Sequence, residues 1–125
     1  MTLLADIIIP RTDTPGAIDV GVPAFIDHLL TDWYAPDDRA QLREGLRRII
    51  EAGFLDLTTD QQRARLTALD AATGEPGSPE AAFSSIKSLT VYGYFTAEPV
   101  MKEVTRLPVI PGHADGCVPL RRGPA

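Results

Sequence analysis

The stretch SPEAAFSSIKSLTVYGYFT, residues 78–96, decides the fold class of this 125-residue chain. Ser78 suits an N-cap, Pro79 suits the first helical turn because its missing N–H costs nothing there, and Glu80 complements the helix dipole. Side chains suited to a core then recur every three or four positions, at Phe83, Ile86, Thr90 and Tyr94. This spacing predicts an α-helix that ends before Pro99.

Glycine and proline divide the rest of the chain into segments that can also be helical. They cluster at residues 10–23, 74–79 and 108–124, which are predicted to be loops. Four more helices are predicted, at 3–9, at 22–34, from Pro36 to a left-handed cap at Gly53, and from the capping box at Thr58 to about residue 73. We find no strand alternation and no repeat. The expected fold is therefore all-α: one small domain over residues 1–125, with five helices and an irregular Pro/Gly-rich tail from about residue 108.

Apolar stripes indicate which side chains of these helices face the core. In the second helix the stripe consists of Phe25, Ile26, Leu29, Leu30 and Trp33. In the third helix it consists of Leu42, Leu46, Ile49 and Ile50.

Composition and charge exclude several classes of function. The chain is 44% hydrophobic and 23% charged, which is typical of a folded domain and not of a disordered one. Its net charge is −5, with 12 basic and 17 acidic residues, so nucleic acid is not an expected partner. No apolar run approaches the roughly 20 residues that span a bilayer. The apolar start, residues 3–9, lacks the positive leader of a secretory signal, so we expect either a cytoplasmic protein or a mature form without its leader.

Groups suited to catalysis are few. His28 and Asp32 are four residues apart and would lie side by side on a helix, but the sequence offers them neither a nucleophile nor a pocket. A partly exposed histidine beside an acidic neighbour is the simpler interpretation, and a stand-alone acid–base enzyme is the rival one. The nucleotide-binding patterns GxGxxG and GxxxxGK[ST], the nucleophile elbow GxSxG and the zinc spacings do not occur. No cofactor or metal is therefore expected in this chain.

Tyr92, Tyr94 and Phe95 place three aromatic rings within four residues. Four consecutive helical positions point nearly all the way around the axis, so at least one ring must meet solvent, a loop of this chain or another protein. Tyrosine is common at protein interfaces because its ring buries area while its hydroxyl keeps a polar partner. Gly93 lies between them and indicates close packing, either of a neighbouring helix of the same domain or of a partner's backbone.

Cys117 is the only cysteine, so it cannot form a disulfide within the chain. Its Gly- and Pro-rich surroundings, residues 111–119, predict a loop. It is interpreted as a free thiol, as a small buried apolar residue, or, in an oxidising compartment, as one half of an intermolecular disulfide.

Two blocks of sequence resemble one protein family. The first comprises IIPRTDTPGA at residues 8–17, GVPAFID at 21–27 and Trp33-Tyr34. The second comprises IKSLT at 86–90, GYFTAEP at 93–99, IPG at 110–112 and GCVP at 116–119. Together they resemble the gluconate 2-dehydrogenase subunit 3 family. Residues 36–82 between the blocks contribute only generic helices.

The resemblance implies a small, non-catalytic subunit that accompanies a large FAD-containing subunit of the glucose–methanol–choline oxidoreductase type. Such complexes oxidise gluconate, glucose, fructose or glycosides at carbon 3, and a cytochrome c subunit is a further candidate partner. Family members often help the folded large subunit to reach the periplasm through a twin-arginine leader. This sequence shows no such leader, so a periplasmic location is expected if the leader was removed or lies on the partner, and a cytoplasmic one otherwise. A transient export chaperone is the remaining alternative.

The residues and the resemblance together nominate seven partner-binding residues: Trp33, Tyr92, Tyr94, Phe95, Glu98, Pro111 and Cys117. An apolar surface patch is expected around residues 92–95 and the tail at 108–119. Cys117 is the candidate for a disulfide to the large subunit.

Overall fold

The computed structural model of the chain describes residues 1–106, and within that range it contains helices and turns but no strands. The α-helices are α1 (Thr2–Ile8), α2 (Val22–Asp32), α3 (Pro36–Glu51), α4 (Thr59–Asp70) and α5 (Pro79–Thr96). A short 3-10 turn, Phe54–Asp56, follows α3, and a π-helical turn, Val100–Val104, follows α5. The prediction of an all-α fold with five helices is confirmed.

Helix α5 is the central element of the fold, since α1, α2, α3 and α4 all pack against it. Its inward face carries the residues that the spacing predicted, Phe83, Ile86, Thr90 and Tyr94, together with Ala82 and Gly93. Ile26 of α2, Ile49 of α3 and Leu66 of α4 complete the core around it. The opposite face of α5 is the one that the other four helices leave uncovered.

The predicted caps begin and end the helices where expected. The Thr58 hydroxyl accepts a hydrogen bond from the Gln61 backbone N–H at 3.4 Å, while the Gln61 side chain accepts one from the Thr58 N–H at 2.9 Å. The Ser78 hydroxyl accepts a hydrogen bond from the Ala81 N–H at 3.1 Å. Gly53 has the left-handed φ of 78° that an L-residue rarely adopts. Local chemistry thus fixes the bounds of α3, α4 and α5.

Helix α4 ends at Asp70, three residues before the predicted end. In the loop that follows, Gly74 lies against the start of α5, since a Cβ atom there would be 2.1 Å from the Ser78 Oγ. Helix α2 also ends early, at Asp32, where the Leu29 carbonyl accepts hydrogen bonds from both the Trp33 and the Tyr34 N–H groups.

Arg47 and Arg48 of α3 pair with acidic residues of their own helix. Glu44 accepts hydrogen bonds from Arg47 and Arg48, each at 2.9 Å from the Nε atom, and these bonds lower the pKa of Glu44 to about 2. Because the pKa is lowered, this pairing contributes above the ordinary carboxyl pKa of 4.5 and is lost as the pH falls towards 2. The pairs are about half exposed to solvent and therefore contribute little to stability. They form a solvated face of α3.

Candidate protein-docking surface

One face of α5 presents large apolar side chains to solvent. Val91, Tyr92 and Phe95 are 38%, 61% and 51% exposed, and Ser84 and Ser88 are exposed on the same helix. Each residue turns an α-helix by about 100°, so Ser84, Ser88, Val91 and Phe95 lie within about 60° of one another. We call the surface formed by Ser84, Ser88, Val91, Tyr92 and Phe95 the α5 surface. It lies roughly opposite the buried face of the same helix.

Neighbouring helices border the α5 surface on its two sides. Towards α2, the ring of Tyr92 packs against that of Phe25, with a centroid distance of 6.0 Å and an angle of 34° between the ring planes. Towards α4, the Lys87 ammonium donates to both carboxylate oxygens of Asp70, at 2.6 and 2.7 Å. A shallow trough on this side of α5 is lined by Asp70, Ser84, Lys87, Ser88, Val91 and Tyr92, with Phe95 outside it.

Tyr94 does not belong to this surface, although the sequence analysis nominated it for partner binding. It is only 5% exposed, and its hydroxyl donates a hydrogen bond to the Pro15 carbonyl at 2.8 Å. The physical reason is the helical period, which places Tyr94 in register with Phe83, Ile86 and Thr90 on the buried face. The structure thus corrects the assignment: Tyr94 joins the loop between α1 and α2 to α5.

Replacement of Tyr94 by phenylalanine should weaken this connection while leaving the ring in place. The Pro15 carbonyl would lose its donor, and we expect the free energy of unfolding to fall by about 1–2 kcal/mol. Chemical denaturation of the purified variant measures the change. Tyr92→Phe is the matched control, because it removes a hydroxyl from the 61% exposed ring of Tyr92 and should leave stability unchanged. Equal losses in both variants would contradict the role assigned to the Tyr94 hydroxyl.

Gly93 is explained by packing within the domain. A Cβ atom at Gly93 would lie 2.7 Å from Cδ1 and 3.0 Å from Cε1 of Phe25, closer than carbon atoms can approach. The glycine lets the Phe25 ring lie directly on the α5 backbone. Of the two interpretations left open by the sequence, the structure supports the one in which Gly93 accommodates a neighbouring helix of the same domain.

The other nominated residues have different positions. Trp33, just past the end of α2, is 75% exposed, so it does not complete the inward stripe assigned to it. Glu98 is exposed beyond α5 and accepts a hydrogen bond from Lys102, which lowers the pKa of the Glu98 carboxyl. Pro111 and Cys117 lie outside the described residues. Trp33 and Glu98 thus remain available to a partner.

Residues 1–112 match the model of the protein family described as gluconate 2-dehydrogenase subunit 3. The match includes every helix described above and covers far more than half of the chain. The chain belongs to this family. A comparison with curated proteins and another with solved structures gave no match. Membership in the gluconate 2-dehydrogenase subunit 3 family indicates an accessory subunit of a dehydrogenase complex.

Within this family member, His28 and Asp32 lie side by side on one helix face, as the sequence predicted. The His28 Nδ1 lies 2.7 Å from the Asp32 carboxylate, and the two side chains are 65% and 52% exposed. Such exposure leaves the pair in contact with solvent, where it lacks the water-excluding pocket that acid–base catalysis uses. Within residues 1–106, no three His, Cys, Asp or Glu side chains are grouped so that they could hold a metal ion. Over the same residues, no helix has both the length and the apolar character needed to cross a bilayer.

A second apolar patch, which the sequence analysis missed, lies where α1, α3 and the 3-10 turn meet. Leu3, Ile50 and Leu55 are 40%, 52% and 58% exposed around a shared groove. A signal for it was present in Ile49-Ile50, because adjacent helical positions differ by about 100° and cannot both face one core. Ile49 is 4% exposed and holds the inward position. The stripe assigned to the third helix is therefore wrong at Ile50.

Proposed function

We propose that this chain is a non-catalytic small subunit that binds and stabilises the large, FAD-containing subunit of a sugar or glycoside dehydrogenase. Family membership supports a role in a dehydrogenase complex. The observation that carries the proposal is the α5 surface, where Val91, Tyr92 and Phe95 remain exposed on the face opposite the core. Hydride transfer and the flavin are assigned to the large subunit, since the residues described here offer only the exposed His28–Asp32 pair for acid–base chemistry.

Energetics favour a partner on the α5 surface. A tyrosine or phenylalanine buries roughly 150–250 Å² when fully covered. Because Tyr92 and Phe95 are 61% and 51% exposed, covering them would remove roughly 100 Å² each from water. At about 25 cal/mol per Å², this is worth about 2–3 kcal/mol per ring before the costs of association. Two such rings on one face of a helix are typical of the anchors of a protein interface.

The assignment of the flavin and of hydride transfer to the large subunit is tested by preparing the chain alone and together with its large subunit. We expect the chain alone to fold without flavin or dehydrogenase activity, and the co-expressed pair to purify in a fixed ratio with both. Flavin released by denaturation and activity towards gluconate, glucose and glycosides are the measurements. Flavin or activity in the lone chain would contradict the proposal. If the lone chain is active and its His28→Ala variant is not, the acid–base enzyme is supported instead. If the large subunit is released after export, the transient chaperone is supported.

The proposal also covers the cell compartment of the complex and a disulfide between its subunits. On the resemblance to exported members, we propose that the complex is periplasmic, that it includes a cytochrome c subunit, and that Cys117 forms a disulfide with the large subunit. Non-reducing electrophoresis of the complex should then show a band at the summed mass, and this band should disappear in Cys117→Ser. A complex that runs as two separate bands under oxidising conditions would contradict the disulfide. Fractionation of the host cells tests the location.

A further inference from the structure

A hollow of about 390 Å³ lies between the first turns of α3, the start of α5 and the loop that joins α4 to α5. We propose that this α3–α5 hollow binds the guanidinium group of an arginine side chain of the large subunit. The inference rests on the proposed function and identifies one residue type of the partner. It follows from the polar groups that line the hollow, from its charge and from its position beside the α5 surface.

Open hydrogen-bonding capacity is concentrated around the α3–α5 hollow. Four polar side chains line it: Tyr34, Asp38, Gln41 and Ser85. Within residues 1–106, the first three of these take part in no side-chain hydrogen bond or ion pair, and the Ser85 hydroxyl, which donates to the Ala81 carbonyl at 3.0 Å, can still accept. Arg39, next to Asp38 in the sequence, donates instead to two carbonyls in the last turn of α2. These four side chains therefore have oxygen atoms left for a ligand.

A guanidinium group matches these side chains in number and shape. It has five N–H donors in one plane and no acceptor. The hollow offers five side-chain oxygen atoms, two on Asp38 and one each on Tyr34, Gln41 and Ser85. A carboxylate receives two parallel hydrogen bonds from a guanidinium group, and an aromatic ring such as that of Tyr34 can stack on its flat face. A lysine ammonium has three donors and no flat face, so it would use less of what the hollow offers.

The charge of the hollow favours a cation. Asp38 is the only charged residue among the described residues that line it, so no neighbour in the lining neutralises its carboxylate. The net charge of the whole chain, −5, attracts a cation and repels an anion. Leu42 and Ala82, which are 6% and 2% exposed, form an apolar floor on which the methylene groups of an arginine side chain can pack.

The position of the hollow favours a protein side chain as its occupant. Ser85 precedes Tyr92 by seven residues, so the two lie within about 20° of one another around α5 and about 10 Å apart along it. On the other side, Tyr34 follows Trp33, which is 75% exposed. A protein that covers both Tyr92 and Trp33 also reaches the hollow. Arginine is, with tryptophan and tyrosine, one of the residue types that most often anchor such interfaces.

Asp38→Asn, titrated with the purified large subunit, tests the inference. The change removes the charge of the carboxylate and keeps its size, and we expect binding to weaken at least about tenfold. Asp37→Asn is the matched control, because it removes the same charge from the same first turn of α3 but Asp37 does not line the hollow. Binding of the control should change less than about twofold. Equal effects of the two variants, large or small, would overturn the inference.

Titration of the chain alone with n-butylguanidinium tests the chemistry of the hollow without the large subunit. At matched ionic strength, we expect shifts in the backbone amide NMR signals of Asp38, Gln41 and Ser85, and no such shifts in Asp38→Asn. n-Butylurea, which has a similar shape without the charge, and glucose should leave these signals unchanged. If n-butylguanidinium gives no shifts, or if n-butylurea or glucose gives equal ones, the hollow is not a guanidinium site.

The two experiments distinguish failure of the inference from failure of the proposed function. If Asp38→Asn binds the large subunit normally while Tyr92→Ala with Phe95→Ala does not, the proposed function stands and the arginine contact is overturned. If the unchanged chain binds no large subunit, the proposed function and an arginine of that subunit are both overturned. Shifts with n-butylguanidinium would in that case assign the hollow to a free guanidinium compound.

Discussion

Changing Tyr92 and Phe95 together to alanine is expected to weaken binding of the large subunit at least a hundredfold. Aromatic residues near the centre of an interface commonly contribute about 2 kcal/mol or more each, and every 1.4 kcal/mol corresponds to about a factor of ten. The rings are 61% and 51% exposed in the free chain, so most of their contact area is available to a partner. Isothermal titration of the purified variant with the large subunit measures the loss.

The double variant must remain folded for this result to be interpreted. Tyr92 contacts Phe25, and Phe95 meets Tyr94 edge-on with a centroid distance of 5.3 Å, so a loss of about 1–2 kcal/mol in stability is expected from the two contacts. Circular dichroism and thermal unfolding check that the helices persist.

Ile50→Ala with Leu55→Ala is the matched control for the aromatic pair. These residues are 52% and 58% exposed, similar to Tyr92 and Phe95, but they belong to the second apolar patch, which shares no residue with the α5 surface. We expect binding to be unchanged in this control. Loss of binding in the control and not in the aromatic variant would place the contact on the second patch and contradict the assignment of the α5 surface.

Gly45→Val is expected to be the most damaging single substitution for the fold, lowering the free energy of unfolding by about 3 kcal/mol or more. Gly45 is where α3 meets α5: an added Cβ would lie 2.4 Å from the Ser78 carbonyl oxygen and 2.5 Å from the Ala82 Cβ. The backbone carbonyl cannot rotate away as a side chain can, so the two helices must separate. Such a loss is a large fraction of the roughly 5–15 kcal/mol that stabilises a typical domain.

Ala40→Val separates this packing effect from helix propensity. Ala40 is exposed on α3, so the control should lose only the roughly 0.5–0.7 kcal/mol by which valine is a poorer helix former than alanine. Urea unfolding of both variants gives the comparison. If Gly45→Val and the unchanged protein unfold at the same urea concentration, α3 and α5 do not meet at Gly45.

Local chemistry in the sequence predicted much of this fold. Hydroxyl and glycine caps act within a few residues of one another, which is why Gly53, Thr58 and Ser78 mark helix ends correctly. The role of Gly45 was not predicted, because the closest approach of α3 and α5 depends on how two helices cross, and no local pattern encodes that crossing. The π-helical turn after Pro99 was missed for a similar reason, since its Val100 is fully buried by tertiary packing.

The docking surface was only half predictable. Crowding of aromatic residues at 92–95 indicated that at least one ring would be exposed, and Tyr92 and Phe95 are. The same sequence also contained the register that buries Tyr94, but the interface hypothesis treated the three rings as one group. Ser84 and Ser88 carry no signal by themselves, because an exposed serine becomes part of a contact only through the apolar residues beside it.

The position of α5 also determines when the protein can fold during its synthesis. The nascent chain contains α1 to α4 once Asp70 has been made, yet the helix against which all four pack is not complete until Thr96 has followed. At roughly 5–20 residues per second, the roughly 26 residues between Asp70 and Thr96 take about 1–5 seconds. For that time Ile26 and Ile49 lack the helix that covers them in the folded chain. The core and the exposed α5 surface then arise together from one segment, so a partner that binds this surface could do so only after α5 has been made.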